Sequence, residues 1–116
     1  MLRRRNSKHY AAHKEAARAL VHTRLAHYNR YYNHTLRRVF IKNSKSRWGS
    51  CSSKGNLNFS YKLLFLPPEV ADYVIVHELC HLREFNHGPH FWALVAQACP
   101  EHKALRQRLR LAEKSA

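Results

Sequence analysis

Acidic side chains are scarce in this chain of 116 residues, in which seven Asp and Glu stand against 21 Lys and Arg, for a formal charge of +14. Residues 1–47 carry 13 of these bases and one acid, Glu15, a net charge of +12, whereas residues 48–100 carry three bases and four acids, a net charge of −1. A field of this sign attracts polyanions, so DNA or another polyanion is a predicted partner of the basic N-terminal region. Helix-turn-helix, RNP and zinc-finger patterns are absent, so the charge identifies no specific nucleic-acid-binding module.

Cysteines are few, and long apolar runs are missing. The three cysteines are odd in number, widely spaced and without a CxxC pair, which argues against a disulfide framework and a cysteine zinc knuckle and favours a reducing compartment. The sequence contains no run of about 18 apolar residues, the length that a membrane-spanning helix needs. The basic opening MLRRRNSKHY lacks the apolar core and cleavage site of a secretory signal. We therefore predict a cytoplasmic protein without a membrane span, folded as a single domain over residues 1–116.

Residues 1–35 are predicted to form a basic helix, regular from Tyr10 to about Tyr31, where good helix formers dominate and Pro and Gly are absent. Residues at helical spacing form two adjacent stripes along this helix. The first stripe contains Ala16, Leu20, Thr23 or Arg24, and His27; the second contains Ala17, Val21, Leu25 and Tyr28.

Three short strands are predicted between turn-forming residues: Val39–Ile41, Trp48–Cys51 and Leu57–Ser60. In the last of them Leu57 and Phe59 alternate with Asn58 and Ser60, which is typical of a half-buried sheet. We expect a small antiparallel sheet. Asn58 and Ser60 then lie on a candidate edge strand to which an extended peptide can add, or simply on a polar solvent face.

The segment LPPEVADYVIVHELCHLREF predicts a central helix. Its two prolines and Glu69 suit a helix start, and the run from Val70 to Phe85 is apolar on most sides, which indicates burial. After a break, helices are predicted over His90–Ala98 and Glu101–Ala112. The predicted fold class is α+β: an N-terminal helix, a small antiparallel sheet, a buried helix and C-terminal helices.

The stretch HELCHLREFNH lies in this helix and just beyond it. His77 and His81 are four residues apart, so both imidazoles lie on one face and converge on one metal ion. Glu78 lies about 100° round the helix, where its carboxylate reaches a metal-bound water. Burying an acid and two imidazoles in an apolar helix costs several kcal/mol unless they are paired or bind a metal. The motif therefore predicts a Zn²⁺ site with Glu78 as general base.

A catalytic zinc ion has three protein ligands and one position for water. His87 is the preferred third ligand, because it lies just past the expected helix end and Gly88 lets the chain fold back. His90 and Glu101 are the alternatives. The predicted chemistry is hydrolysis by a zinc-activated water whose proton Glu78 accepts. For the oxyanion-stabilising group, the sequence offers Arg83, Tyr61 and His90 without ranking them.

Four segments together resemble the YgjP-like metallopeptidase family, which is related to the SprT-like and WLM zinc proteases: WGSC, PPEV, HELCHL and HGPHFW. The resemblance covers roughly Leu36 to Arg110. It implies a minimal zincin fold, a catalytic core over residues 36–112, His87 as the third ligand and a polypeptide substrate. The spacing also resembles the metzincin pattern, but Glu84 replaces the glycine that this pattern requires.

Two other functions compete with the zinc peptidase. A nucleotide (UTP) pyrophosphatase is one, because that activity is assigned to some YgjP-like proteins and a basic front favours a polyanionic substrate; no Gly-rich phosphate loop accompanies it. The other is a non-enzymatic, basic nucleic-acid-binding module with a structural zinc, whose affinity would fall steeply with salt.

Overall fold

The computed structural model describes residues 6–44 and 46–115. Four basic residues of the N-terminal region 1–47 lie outside these ranges: Arg3, Arg4, Arg5 and Lys45. Along the chain the elements are α1 (Ser7–Tyr32), β1 (Val39–Lys42), β2 (Gly49–Cys51), β3 (Leu57–Ser60), a short 3₁₀ helix (Tyr61–Phe65), α2 (Pro68–His81), α3 (Pro89–Ala98) and α4 (His102–Ser115). The predicted α+β class is confirmed, and the 3₁₀ helix was not anticipated.

The three strands form one sheet in the order β1-β3-β2. β2 is antiparallel to β3, with Gly49 opposite Phe59, as expected. β1 is parallel to β3, with Val39 opposite Leu57, so the prediction of a purely antiparallel sheet is wrong and the sheet is mixed. The reason is topological, since the chain passes from β1 to the far edge and then returns by a tight turn into the middle. Gly55 has a φ of 88° in that turn, a conformation that favours glycine.

β3 is the central strand, so the expectation of an edge strand bearing Asn58 and Ser60 is also wrong. Ser60 is buried, and the Asn58 side-chain amide donates to Ser50 Oγ at 3.2 Å. Both polar side chains therefore lie within a paired sheet, whose edges are β1 and β2.

α2 is the central helix that the sequence predicts, with ten of its fourteen residues buried. Pro68 lies in its first turn, where a missing N–H costs nothing. The helix ends at His81 rather than at the predicted Phe85. Its end is a tightened turn, in which the amide of Leu82 donates to the carbonyl of Leu79 and that of Arg83 to Cys80. Residues 82–88 consequently form a loop.

α1 packs on α2 through the second of its two predicted stripes. Ala17, Val21 and Leu25 are buried, whereas Ala16 and His27, which begin and end the first stripe, are exposed. A polar bridge reinforces the contact. Arg24 donates from Nε and Nη2 to the two carboxylate oxygens of Asp72 on α2, at 2.9 and 2.6 Å, and Tyr28 Oη donates to the same carboxylate at 2.8 Å.

Cys51, Cys80 and Cys99 are free thiols, the last two of them buried. Trp48 and Phe91 belong to the buried core. None of the helices in the described ranges is long and apolar enough to cross a bilayer.

Candidate metal centre

Three imidazoles meet at one end of α2. His77 and His81 are one helical turn apart, and His87 reaches them from the loop, immediately before α3 begins. Nε2 of His81 lies 3.2 Å from Nε2 of His77 and 2.8 Å from Nε2 of His87. Two tetrahedral ligands at zinc–nitrogen distances of 2.0–2.1 Å are about 3.3 Å apart. The triangle of nitrogens therefore has the dimensions of a site for one ion, and all its ligand atoms lie within 4.8 Å of one another.

Neither alternative third ligand lies in this triangle. His90 is exposed at the start of α3 and lines a separate cleft with Arg83 and Glu84. Glu101 is exposed just before α4. Among the described residues, the only cluster of three or more His, Cys, Asp or Glu side chains able to hold a metal is that of His77, His81 and His87.

The other ring nitrogens of two of these histidines have partners that orient the rings. Nδ1 of His81 lies 3.0 Å from the carbonyl oxygen of Glu84. Because a carbonyl only accepts, Nδ1 carries the proton and Nε2 presents its lone pair to the centre. Nδ1 of His77 lies 3.3 Å from the hydroxyl of Tyr73, one turn earlier on α2. Burial raises the pKa of Tyr73 to about 12, so this partner is a neutral phenol at neutral pH.

Burial also keeps two of the imidazoles neutral. It lowers the pKa of His77 to about 3, with smaller contributions from the nearby His81, His87 and Arg106. It lowers the pKa of His81 as well, against the effect of the hydrogen bond to Glu84. A neutral imidazole is the form that binds a metal ion, so these rings need lose no proton to do so at neutral pH.

Glu78 is a carboxylate with 7% exposure that faces the same open cleft as the three histidines. Burial raises its pKa to about 7, and the positive charge of Arg47 opposes that rise. A carboxylate with this pKa exchanges a proton readily near neutral pH, which is the property required of a general base. The cleft has a volume of about 460 Å³ and is bounded on its other side by β2.

Gly49 is the point at which β2 approaches Glu78. A Cβ at this position would lie 3.0 Å from Glu78 Cγ and 3.3 Å from both the carbonyl oxygen of Asn58 and Cδ1 of Phe59. The absence of a side chain therefore lets the strand and the carboxylate lie against each other. A glycine inside a predicted strand was a signal of close approach that the sequence carried.

The three residues that the sequence offered for stabilising the oxyanion, Arg83, Tyr61 and His90, do not line the metal cleft. Arg83 and His90 line the separate cleft on α3, and Tyr61 is fully buried with its hydroxyl 2.8 Å from Nδ1 of His9. Arg47 is the basic residue that does line the metal cleft. Nothing in the sequence pattern singled out Arg47 or Tyr73, because each reaches the site only through the tertiary fold.

Comparison with known proteins decides the family. A sequence model of the YgjP-like metallopeptidase domain matches residues 3–112. The chain belongs to the YgjP-like metallopeptidase family. No curated protein sequence matches this YgjP-like chain.

Two crystal structures resemble the YgjP-like fold. One is the metallopeptidase zymogen of Pyrococcus abyssi abylysin, with a TM-score of 0.74 and 25% sequence identity over 81% of this chain and 95% of that one. The other is the metallopeptidase zymogen of Methanocaldococcus jannaschii jannalysin, with a TM-score of 0.61 and 21% identity over 86% of this chain and 97% of that one. At the lower identity the likeness shows the fold alone.

The family assignment confirms the predicted enzyme class. The chain is a zinc-type metallopeptidase, and YgjP-like membership implies a divalent metal and a peptide substrate. The residues of the site fit such an ion, since three imidazole nitrogen donors meet at the right separation. The competing nucleotide pyrophosphatase and the non-enzymatic nucleic-acid-binding module receive no support from these comparisons.

Proposed function

We propose that His77, His81 and His87 bind a zinc ion and that Glu78 is the general base for peptide-bond hydrolysis at this centre. The observation that carries the proposal is the triangle of three Nε2 atoms in a cleft that also contains a buried carboxylate. Three imidazole donors would suit zinc among the divalent ions, and a zinc ion held by three protein ligands would still be able to bind a water molecule. When bound, the ion supplies Lewis acidity that activates this water and polarises the scissile carbonyl.

The protein's own groups then move the proton. A carboxylate oxygen of Glu78 accepts the proton of the attacking water and later donates it to the leaving amine. Burial favours this cycle because it raises the pKa of Glu78, to about 7 in the absence of a metal ion, and so stabilises the protonated carboxyl. Gly49 leaves the carboxylate room to stay in place, and the carbonyl of Glu84 holds the His81 ring in its binding orientation.

The peptide is proposed to bind along β2. This strand is at one edge of the sheet and lines the metal cleft through Gly49, Ser50 and Cys51. An extended peptide can add to such an edge by main-chain hydrogen bonds, which places its scissile carbonyl beside the three histidines. The edge proposed for substrate is thus β2 and not the central strand β3.

The test compares the zinc-loaded wild type with Glu78→Gln on unfolded casein and on UTP. We expect Glu78→Gln to keep one zinc per chain while casein hydrolysis falls about 10²- to 10⁴-fold, the usual contribution of a general base. Glu101→Gln, an exposed carboxylate outside the cleft, is the matched control and should retain activity. Unchanged casein hydrolysis in Glu78→Gln would exclude this base, and UTP hydrolysis by a wild type inert toward casein would favour the pyrophosphatase.

Three further assignments are proposed with the peptidase. Residues 1–116 are taken as one metallopeptidase-like domain, with a basic helix over 1–35 and a catalytic core over 36–112; the burial of α1 against α2 supports their folding together. A cytoplasmic location agrees with three free thiols. Binding of DNA or another polyanion by the basic front stays a prediction, which a salt titration of a labelled DNA duplex tests.

A further inference from the structure

A second open cleft, of about 290 Å³, adjoins the metal cleft on the side of α4. The two clefts share four residues: Arg47, Gly49, His77 and Glu78. Because His77 and Glu78 line both, a peptide whose scissile carbonyl lies at the three histidines places a neighbouring residue in the second cleft. This second cleft is therefore adjacent to the reacting bond.

Three guanidinium groups line the second cleft. Arg106 and Arg110 are one turn apart on α4 and both line it, and Arg47 lines it from the loop before β2. Arg106 lies over the ring of Trp92 at 5.4 Å, which restricts its motion. In the ranges that the structure describes, none of the three forms an ion pair.

The two carboxylates that line the second cleft are too few to neutralise its three guanidinium groups. Glu78 is the proposed base, and Glu113 accepts a hydrogen bond from the indole Nε1 of Trp48 at 3.0 Å. Arg108, between the two arginines on α4, has a different role: it lies outside the cleft and pairs with Glu69 at 2.7 Å. The helix thus directs two arginines at the cleft and one away from it.

We propose that Arg47, Arg106 and Arg110 form an anion subsite that binds a carboxylate of the peptide substrate beside the scissile bond. This inference rests on the proposed peptidase function. The planar guanidinium groups of arginine bind a carboxylate through two parallel hydrogen bonds, and more than one guanidinium can share it. The carboxylate belongs either to an Asp or Glu side chain, which makes the enzyme an acid-directed endopeptidase, or to the chain terminus, which makes it a carboxypeptidase.

The test uses peptides that differ by one group. Each position within three residues of the scissile bond carries Glu or its isostere Gln, and each peptide is made with a C-terminal carboxylate and with a C-terminal amide. For the zinc-loaded wild type we expect kcat/KM to favour one carboxylate about 10- to 100-fold, the range of charged hydrogen bonds. The favoured arm, Glu over Gln or acid over amide, identifies the source of the carboxylate.

Variants on α4 assign that preference to the arginines. Arg106→Gln/Arg110→Gln should abolish it, mainly through KM, with zinc content unchanged. Arg110→Gln alone leaves Arg106 in place over the ring of Trp92, and it should lose part of the carboxylate preference. This single variant tests the subsite if the double variant unfolds. Arg108→Gln removes the same charge from the same helix outside the cleft and should keep the preference. A wild type without carboxylate preference, or equal loss in Arg108→Gln, would overturn the subsite.

A binding measurement separates this inference from the proposed function. The dissociation constants of the Glu and Gln peptides are measured on zinc-loaded Glu78→Gln with wild-type arginines and with Arg106→Gln/Arg110→Gln. Arginine-dependent preference in binding would support the subsite even if the wild type cleaved no peptide, a result that would contradict only the peptidase. Tighter arginine-dependent binding of UTP than of any acidic peptide would overturn the assignment of the subsite to peptides.

Discussion

Nε2 of His87 lies 2.8 Å from Nε2 of His81, although α2 ends between the two residues. The tightened turn at Leu82 and Arg83 makes this possible, because a helix continued to Phe85 would carry the chain away from the face that bears His77 and His81. The loop instead folds back and delivers the third imidazole from outside the helix. The geometry of the proposed metal site therefore depends on where α2 stops.

Removing His87 should weaken metal binding far more than removing His90. His87→Ala leaves two nitrogen donors on α2, and we expect zinc per chain to fall from near one to well below one half after dialysis against a weak chelator. His90→Ala is the matched control, since this exposed ring lines a separate cleft. Elemental analysis measures both. Retention of zinc by His87→Ala together with loss by His90→Ala would reverse the assignment.

A methyl group at Gly49 should displace Glu78. The Cβ of Gly49→Ala would lie 3.0 Å from Glu78 Cγ and 3.3 Å from a strand carbonyl, so the carboxylate or β2 has to shift. We expect a loss of about 1–3 kcal/mol of stability and a fall in kcat that exceeds the change in KM. Gly88→Ala, with nothing within 4 Å of the added Cβ, should cost less than about 1 kcal/mol. Full activity in Gly49→Ala would show that this contact does not position the base.

The metal-free protein should reveal the raised pKa of Glu78. Its pKa is about 7 in the folded protein and 4.5 as the ordinary value, so ionisation costs stability as pH rises through that interval. Relative to Glu78→Gln, the free energy of unfolding of the wild type should fall by about 2–4 kcal/mol between pH 4.5 and pH 8. The titrations of His77 and His81 are common to both proteins and cancel in the difference.

Urea unfolding in the presence of a chelator, repeated across this pH range, measures that difference. Glu101→Gln replaces an exposed carboxylate and should show a nearly constant difference from wild type. A constant difference for Glu78→Gln as well would mean that burial does not shift this carboxyl.

The bridge between α1 and α2 should matter to stability. Asp72→Asn removes the charge that accepts two hydrogen bonds from Arg24 and one from Tyr28, and we expect a loss of about 1.5–3 kcal/mol. The Asp72 side chain is 13% exposed, so solvent screens it little. Glu15→Gln breaks the ion pair with Arg18, in which the Glu15 side chain is 72% exposed and the Arg18 side chain 37% exposed. This substitution should lower the free energy of unfolding by less than about 1 kcal/mol. Equal losses on thermal unfolding would contradict the bridge.

Predictions from the sequence were best where the determining interactions are local. The start of α2 at Pro68, the strand Leu57–Ser60 and the one-turn spacing of His77 and His81 follow from backbone preferences and from helix geometry. The parallel pairing of β1 with β3 was missed because it depends on the order of the strands across the sheet, and no short pattern encodes that order. Arg47 and Tyr73 were missed as site residues for a similar reason, since their roles arise from contacts across the fold.

By itself the sequence determined the chemistry that is available: two imidazoles and a carboxylate on one buried helix, a third imidazole shortly after it, and a strong excess of positive charge. The tertiary structure decided how these groups are used. In the fold, α2 ends early enough for the His87 imidazole to reach those of His77 and His81. Gly49 lies against Glu78, and Arg106 and Arg110 line a cleft beside the site. Residue spacing fixes distances only within one regular element, whereas a site assembled from several elements is set by how their apolar faces pack together.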